Sequence, residues 1–142
     1  MRAIWDAALA AGDVAPLVRR HLRIDSRYAR VFLLGAGKAS GAMAAAAEEV
    51  AGDRVAGGFV VVKDGYAGRL SRVEIAEAGH PVPDARGLAA SARLLDIARS
   101  AGEGDLVLFL VSGGGSRRAR ATNSRATSRA SPCSSRVRSS VV

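Results

Sequence analysis

A glycine-rich turn that carries a lysine is the first feature of this sequence that could do chemistry. The residues Gly35, Ala36, Gly37 and Lys38 follow a short apolar run and precede an alanine-rich stretch typical of a helix. Glycines let a backbone approach a ligand closely. The N–H groups at the start of a helix attract an anion, and a lysine ammonium adds to that attraction. The pattern predicts a phosphate or carboxylate site at Gly35, Gly37 and Lys38. The alternative is a tight turn whose lysine is merely solvated.

This turn departs from the two standard nucleotide-binding patterns. A P-loop requires glycine where Phe32 stands and a magnesium-binding Ser or Thr where Ala39 stands. The dinucleotide fingerprint requires a third glycine where Ser40 stands, although Gly41 follows, and an acid about 20 residues further on, which is missing. The residues therefore predict an anion site of neither standard type.

A second glycine run follows the most apolar segment of the chain. It consists of Ser112, Gly113, Gly114, Gly115 and Ser116. Three consecutive glycines leave several N–H groups free to form an anion-binding nest, here flanked by two hydroxyls. The run predicts contact with a phosphate or substrate, while a merely flexible loop is the alternative.

Two further residues are candidates for the rim of the same site. His80 lies in a proline-stiffened loop and could contact a substrate or transfer a proton, although a lone histidine is more often structural. Asp84, at the end of that loop, is interpreted as a helix cap. Lys63 follows another apolar run, where a surface turn is the favoured interpretation.

Strands and helices alternate along the segments that carry these residues. Apolar runs predict strands at 31–34, 58–62, 73–76 and 106–111, with helical stretches after the first and third. Such alternation indicates right-handed crossovers and an α/β fold whose parallel sheet is covered on both faces. Ligands in such sheets bind beyond the carboxyl ends of the strands, where both glycine turns are expected.

Three finer expectations concern packing. The run 106–111 predicts a central strand that is buried on both faces. The first 22 residues predict two short helices that are separated at Gly12 and Asp13, with Asp13 as a cap and with Trp5 and His21 as packing residues. The helix after Asp84 is predicted to bury one face in the core. That face carries Leu88, Ala92, Leu95 and Ala98.

Charge and composition restrict the classes of protein. The 142 residues are 49% hydrophobic and suit one modest domain, and the single Cys133 excludes an internal disulfide. No run is long enough to cross a membrane and no signal peptide is visible, so a cytoplasmic location and no membrane partner are expected.

Seven of the eight net positive charges come from residues 117–142. Residues 117–142 contain seven arginines, no acid and no helical or strand periodicity. This boundary predicts a partial domain at 1–116 and an Arg/Ser-rich tail that is disordered or arises from a shifted reading frame. A nucleic-acid-binding arm is the weaker alternative, because the tail has no aromatic residue to stack on bases. We expect no nucleic-acid partner.

Four segments, GAGKASGAMA, GFVVVKDGY, EAGHPVPDARG and DLVLFLVSGGGS, occur in this order. Together they resemble the N-terminal domain of the class II glycerate kinases, also called glycerate 2-kinases, of the MOFRL type. The resemblance covers about residues 1–116 and about the first quarter to third of a family member. It implies a Rossmann-like three-layer α/β/α domain with a mostly parallel sheet, truncated here.

The resemblance also implies an activity. Family members use ATP and Mg²⁺ to phosphorylate a hydroxyl of D-glycerate, mainly to 2-phosphoglycerate, and Lys38 matches their active-site lysine. The SGGGS segment resembles their glycine-rich loop, although Arg117 and Arg118 replace its usual continuation. Glycerate and ATP are the implied partners, and this chain itself is expected to be inactive because half of the active-site cleft is missing. A hydroxypyruvate reductase that uses NAD(P)H is the alternative enzyme.

Overall fold

The computed structural model describes residues 2–112, apart from the side chains of residues 7–11. None of the helices in this range is long and apolar enough to cross a membrane. The described elements are the helices α1 (Arg2–Ala11), α2 (Val14–His21), α3 (Ser40–Ala51) and α4 (Ala85–Ser100) and the strands β1 (Arg30–Ala36), β2 (Val55–Lys63), β3 (Glu74–Ala78) and β4 (Asp105–Val111). One turn of 3₁₀ helix, Gly52–Arg54, joins α3 to β2.

The four strands form one parallel sheet in the order β3-β2-β1-β4. The predicted α/β fold with a parallel sheet is therefore confirmed. Since all strands run the same way, their carboxyl ends meet at one edge. The chain adds β2 and β3 on one side of β1 and then returns to add β4 on the other side. Such a reversal opens a crevice between the loops that follow the two strands, here β1 and β4.

Helices cover both faces of the sheet, so the core has two parts. On one face α3 packs through small side chains, which allows it to lie close to the strands. On the other face α4 packs against β1, β2 and β3. The α3 side includes the buried residues Val31, Leu33, Ala44, Ala47, Val60 and Val62. The α4 side includes the buried residues Leu34, Phe59, Val61, Ala90 and Leu94.

The prediction that 106–111 forms a central strand is wrong for the described residues. β4 pairs only with β1 and lies at the edge of the four-stranded sheet. Leu108 and Leu110 are buried on the α3 side, but Phe109 and Val111 on the other face are each 41% exposed. α4 lies over the opposite half of the sheet, and of this face of β4 only Val107 packs against its cluster. An apolar run alone does not distinguish the centre of a sheet from its edge.

The face of α4 that packs against the sheet differs from the predicted face. Ala90, Leu94, Ile97 and Ala98 pack toward the sheet. Leu88 is 71% exposed and Ala92 is exposed, so that prediction is wrong at these two positions. The helix carries apolar residues on more than one stripe, and contact with the sheet decides which stripe is buried.

The N-terminal helices separate where the sequence predicts. Asp13 caps α2, because its Oδ1 accepts a hydrogen bond from the Ala15 N–H at 3.1 Å. Arg19 of α2 binds Glu49 of α3 through both carboxylate oxygens. The packing role predicted for Trp5 and His21 is wrong within the described range, since Trp5 is 68% exposed and His21 is exposed.

Candidate functional site

The turn between β1 and α3 holds Lys38 at the carboxyl edge of the sheet, beside the crevice between β1 and β4. The Gly37 N–H donates to the Val61 carbonyl at 3.0 Å, and the Ser40 N–H donates back to the Gly37 carbonyl at 3.2 Å. These bonds fix the turn against β2. The Lys38 side chain is exposed. The lysine is therefore a solvent-accessible charge on a backbone that is held in place.

Ser112, directly after β4, completes the start of α3. α3 has no side-chain cap of its own, and the Ser112 Oγ accepts a hydrogen bond from the Ala39 N–H at 3.1 Å. The fully buried Ser40 donates its hydroxyl hydrogen to the Leu110 carbonyl at 3.0 Å. The structure thus brings the predicted site residues Ser112 and Lys38 together. Contact of Ser112 with a ligand stays a prediction.

This close approach leaves little room for a side chain at either glycine of the turn. Gly37 has a φ of +120°, which L side chains rarely adopt, and a Cβ there would overlap the Ser112 Oγ. A Cβ on Gly35 would lie 3.0 Å from the Leu110 carbonyl oxygen. Contacts within the chain therefore account for Gly35 and Gly37, and their predicted contact with a ligand stays a prediction.

The backbone of the turn has fewer free donors than the sequence pattern indicates. The N–H groups of Gly37, Ala39 and Ser40 already donate to acceptors within the chain. An anion at this turn would therefore depend mainly on the Lys38 ammonium. Gly113, Gly114, Gly115 and Ser116, predicted to add a second set of donors, lie outside the described residues.

Lys63 approaches Lys38 through a shared aromatic ring. The Lys38 Nζ lies 6.0 Å from the centroid of the Tyr66 ring, and the Lys63 Nζ lies 5.9 Å from it. The structure therefore places the predicted rim residue Lys63 beside the candidate site. Sequence reasoning assigned no role to Tyr66. The sequence does contain a signal that the two turns lie close together, because Lys38 and Lys63 follow strands that are neighbours in a parallel sheet.

A tight turn places Lys63 and Tyr66 side by side. The Tyr66 N–H donates to the Lys63 carbonyl at 3.0 Å, and Gly65 has a φ of +81°. These are features of a type II turn, which requires a positive φ at its third residue. The Glu77 carboxylate accepts hydrogen bonds from the N–H groups of Gly65 and Ala67 at 2.8 and 3.3 Å. The turn is thus anchored to β3.

Arg86, near the start of α4, binds two carboxylates at this edge. Its guanidinium donates to both oxygens of Asp64 at 2.8 and 2.9 Å and to Asp84 at 2.9 Å. Asp84 is the predicted cap of α4, and this is confirmed. Hydrogen bonds from the backbone N–H groups of Gly87 and Gly79, assisted by Arg86, lower the pKa of Asp84 to about 2.

His80 lies in the loop between β3 and α4, which Asp84 closes by accepting the Gly79 N–H at 2.9 Å. The loop leaves the same edge of the sheet as Lys38, but β3 is two strands from β1, or about 10 Å at the usual strand spacing. His80 is half-buried. Its role in substrate contact or proton transfer stays a prediction.

Residues 1–128 match a family model described as "Domain of unknown function (DUF4147)". The chain belongs to this family. The match continues beyond residue 116 into the Arg/Ser-rich segment. The boundary predicted there falls outside the described residues and stays a prediction.

Two similar proteins bear on the resemblance to glycerate 2-kinases that the four segments indicate. The chain is 48% identical over 88 residues to a D-glycerate 2-kinase of Thermotoga maritima, covering 61% of this chain and 21% of that protein. It is 42% identical over 116 residues to a protein of Agrobacterium vitis that is provisionally named a hydroxypyruvate reductase. This match covers 82% of this chain and 26% of that protein. The resemblance to glycerate 2-kinases is confirmed.

A crystal structure of a Pyrococcus horikoshii protein has the same fold. It matches with a TM-score of 0.67 and 31% identity, over 73% of this chain and 26% of that one. The chain thus spans about a quarter of the length of the relatives it matches.

Proposed function

We propose that this chain forms the N-terminal, phosphate-binding part of a kinase that transfers the γ-phosphate of ATP to a hydroxyl of D-glycerate, mainly giving 2-phosphoglycerate. The observation that carries the proposal is the placement of Lys38 at the start of α3, beside the point where the strand order reverses. The identity to a D-glycerate 2-kinase supports it. The cytoplasm, where ATP is abundant, is the proposed location.

Lys38 would act by charge and position. Phosphoryl transfer spreads negative charge over the phosphoryl oxygens, so a fixed cation lowers the barrier without taking part in covalent chemistry. Here the Ser112 and Val61 contacts hold the Lys38 backbone in place, and the positive end of α3 adds to the field. Catalysis would therefore depend on the rigidity of the turn as well as on the ammonium.

The described residues fit the phosphates of ATP better than they fit a metal. Within residues 2–112 no group of three or more histidine, cysteine or acidic side chains is placed to hold an ion. Mg²⁺ in kinases is held largely by phosphate oxygens and one or two carboxylates, and it neutralises the charge of the phosphates. We assign no described residue to the metal, and its use stays part of the proposal.

A reductase is the second candidate, favoured by the name of the A. vitis relative. It would require NAD(P)H. Ser40 occupies the third glycine position of the dinucleotide fingerprint, and its hydroxyl is committed to the Leu110 carbonyl. We therefore place the kinase first.

A chimera separates the two activities. Residues 1–112 of this chain would replace the matching segment of the T. maritima D-glycerate 2-kinase, which supplies the remainder of the protein. We expect turnover with ATP and D-glycerate and none with NADH and hydroxypyruvate. Turnover only in the second mixture would overturn the kinase proposal. The 142-residue chain alone is expected to be inactive, because it spans about a quarter of its relatives.

Replacing Lys38 in the chimera tests its role. We expect Lys38→Met to lower kcat about 10²- to 10³-fold, as for the loss of one preorganised charge contact, and Lys38→Arg to retain part of the activity. Circular dichroism would verify that both variants are folded. An unchanged kcat in a folded Lys38→Met chimera would contradict the assignment.

A further inference from the structure

We propose that Lys63 and Tyr66 complete the anion site at Lys38, and that the two lysines together bind a chain of linked phosphoryl groups. This inference rests on the proposed function, because it takes Lys38 to face a phosphate ligand. It extends that function by assigning a second phosphate-binding cation and an aromatic residue that sets the spacing of the two.

Lysine is rare in this chain. The chain has 21 lysine and arginine residues, and Lys38 and Lys63 are its two lysines. Both cations bind phosphate, lysine as a compact and mobile point charge and arginine as a rigid planar fork. Both lysines lie within about 6 Å of the centre of one ring. The two residues of this type in the chain thus meet at one place on the sheet edge.

The local charges make this place attractive to an anion. The Tyr66 ring favours a nearby cation, but two ammonium groups around one ring repel each other. Asp64 is next to Lys63 in the sequence. Its two carboxylate oxygens accept hydrogen bonds from the two terminal nitrogens of the Arg86 guanidinium. Asp64 thus pairs with Arg86 rather than with Lys63, and an anion between the two lysines would relieve their repulsion.

The loop that carries Lys63 and Tyr66 is held in place before any ligand arrives. Glu77 binds its beginning, and the Glu48 carboxylate of α3 binds its end by accepting the N–H groups of Ser71, Arg72 and Val73 at 2.7 to 2.9 Å. Between these anchors the loop crosses the start of α3, where the Tyr66 carbonyl oxygen lies 3.7 Å from the position of a Cβ on Gly41. Little ordering would be needed on binding, which favours affinity.

The spacing indicates the class of ligand. Each ammonium lies about 6 Å from the ring centroid, so the two lie at most twice that distance apart. A di- or triphosphate chain carries several negative charges in a row and can contact both. Inorganic tripolyphosphate is therefore the probe of choice, with orthophosphate as the comparison.

Lysine-selective reductive methylation of the 142-residue chain tests the inference. Bulk binding would be ambiguous, because residues 117–142 contain seven arginines. Mass spectrometry instead reads Lys38 and Lys63 separately, with the N-terminal amine as an internal reference. We expect tripolyphosphate to slow methylation of both lysines at least fivefold with one midpoint concentration, to leave the N-terminal amine unchanged, and orthophosphate to protect much less.

The pattern of protection distinguishes failure of this inference from failure of the proposed function. Protection of Lys38 alone would overturn the inference and leave the proposed function standing. Protection of neither lysine would count against both. Equal slowing at the N-terminal amine would show non-specific binding and would also overturn the inference.

Variants give the same test a second readout. Lys63→Met is expected to raise the tripolyphosphate concentration that protects Lys38 about tenfold, Lys63→Arg to raise it less, and Tyr66→Leu to raise it severalfold. Arg69→Met, which removes an exposed cation from the same loop, should change it less than twofold. An unchanged midpoint in Lys63→Met, with native circular dichroism, would overturn the inference.

Discussion

The two lysine-bearing turns of the sheet edge are held by different means. The turn at Lys38 is fixed by close contact of backbone with backbone and with the hydroxyls of Ser40 and Ser112. The loop at Lys63 is fixed by carboxylates, which bind backbone N–H groups and the Arg86 guanidinium. The first turn is therefore sensitive to added volume and the second to the loss of charge.

This difference suits the functions that we propose. A turn built by close contact has little freedom, which favours a residue that must be aligned with a transferring group. The loop at Lys63 is also held in place, but its anchoring depends on a few charged side chains. The comparison thus predicts distinct responses to mutation in the two turns.

The largest effect is expected from Gly37→Ala. The new Cβ would overlap the Ser112 Oγ, and alanine would have to adopt a φ of +120°. Strain and overpacking together should lower the free energy of unfolding by about 3 kcal/mol, measured by urea denaturation of the 142-residue chain. Gly68→Ala is the control, because a Cβ there meets nothing within 4 Å. Equal stability of the two variants would contradict the close-contact account of the Lys38 turn.

A smaller effect is expected from Glu48→Ala in the second loop. The change leaves three backbone N–H groups without their acceptor and should lower the free energy of unfolding by about 1 to 3 kcal/mol. The neighbouring Glu49→Ala removes only an exposed ion pair with Arg19 and should shift the urea midpoint less. The reverse ranking would show that the loop does not depend on Glu48.

The smallest effect is a pH dependence that comes from Asp84. Its pKa of about 2 in the folded chain lies below the ordinary 3.8, so its contribution to stability is complete above about pH 4 and is lost as the pH falls toward 2. Asp84→Ser keeps a capping oxygen but does not titrate. The difference in Tm between the parent chain and this variant should therefore shrink between pH 4 and pH 2. A constant difference would contradict the assignment.

Local patterns in the sequence were sufficient for the framework of the site. Apolar runs and glycine turns predict the four parallel strands and place Lys38, Ser112 and Lys63 at their carboxyl ends. Asp13 and Asp84 were predicted as helix caps, because a cap is made within a few residues of the helix it serves. These features depend on neighbours in the chain, which a sequence displays directly.

Contacts between distant segments were not predictable in this way. The role of Glu48 depends on a loop more than 20 residues away, and the link between the two lysines depends on which strands are adjacent. The position of β4 in the described sheet follows from which strands pair, and the buried stripe of α4 follows from which of its residues contact the sheet. The sequence predicts Gly37 as a ligand contact, whereas the closeness of Ser112, which leaves no room for a side chain at Gly37, depends on a residue 75 positions further along the chain.

The pairing of β1 with β4 also has a consequence for the order of assembly. Arg30 and Asp105, which open this pair of strands through a bidentate contact, are 75 positions apart in the chain. Pairings of such long range form slowly compared with local ones, and a growing polypeptide folds from its N-terminus as it leaves the ribosome. β1, β2 and β3 are synthesised before β4 exists. Ser112 follows β4 directly, so the lysine turn reaches its final geometry only after β4 has paired with β1.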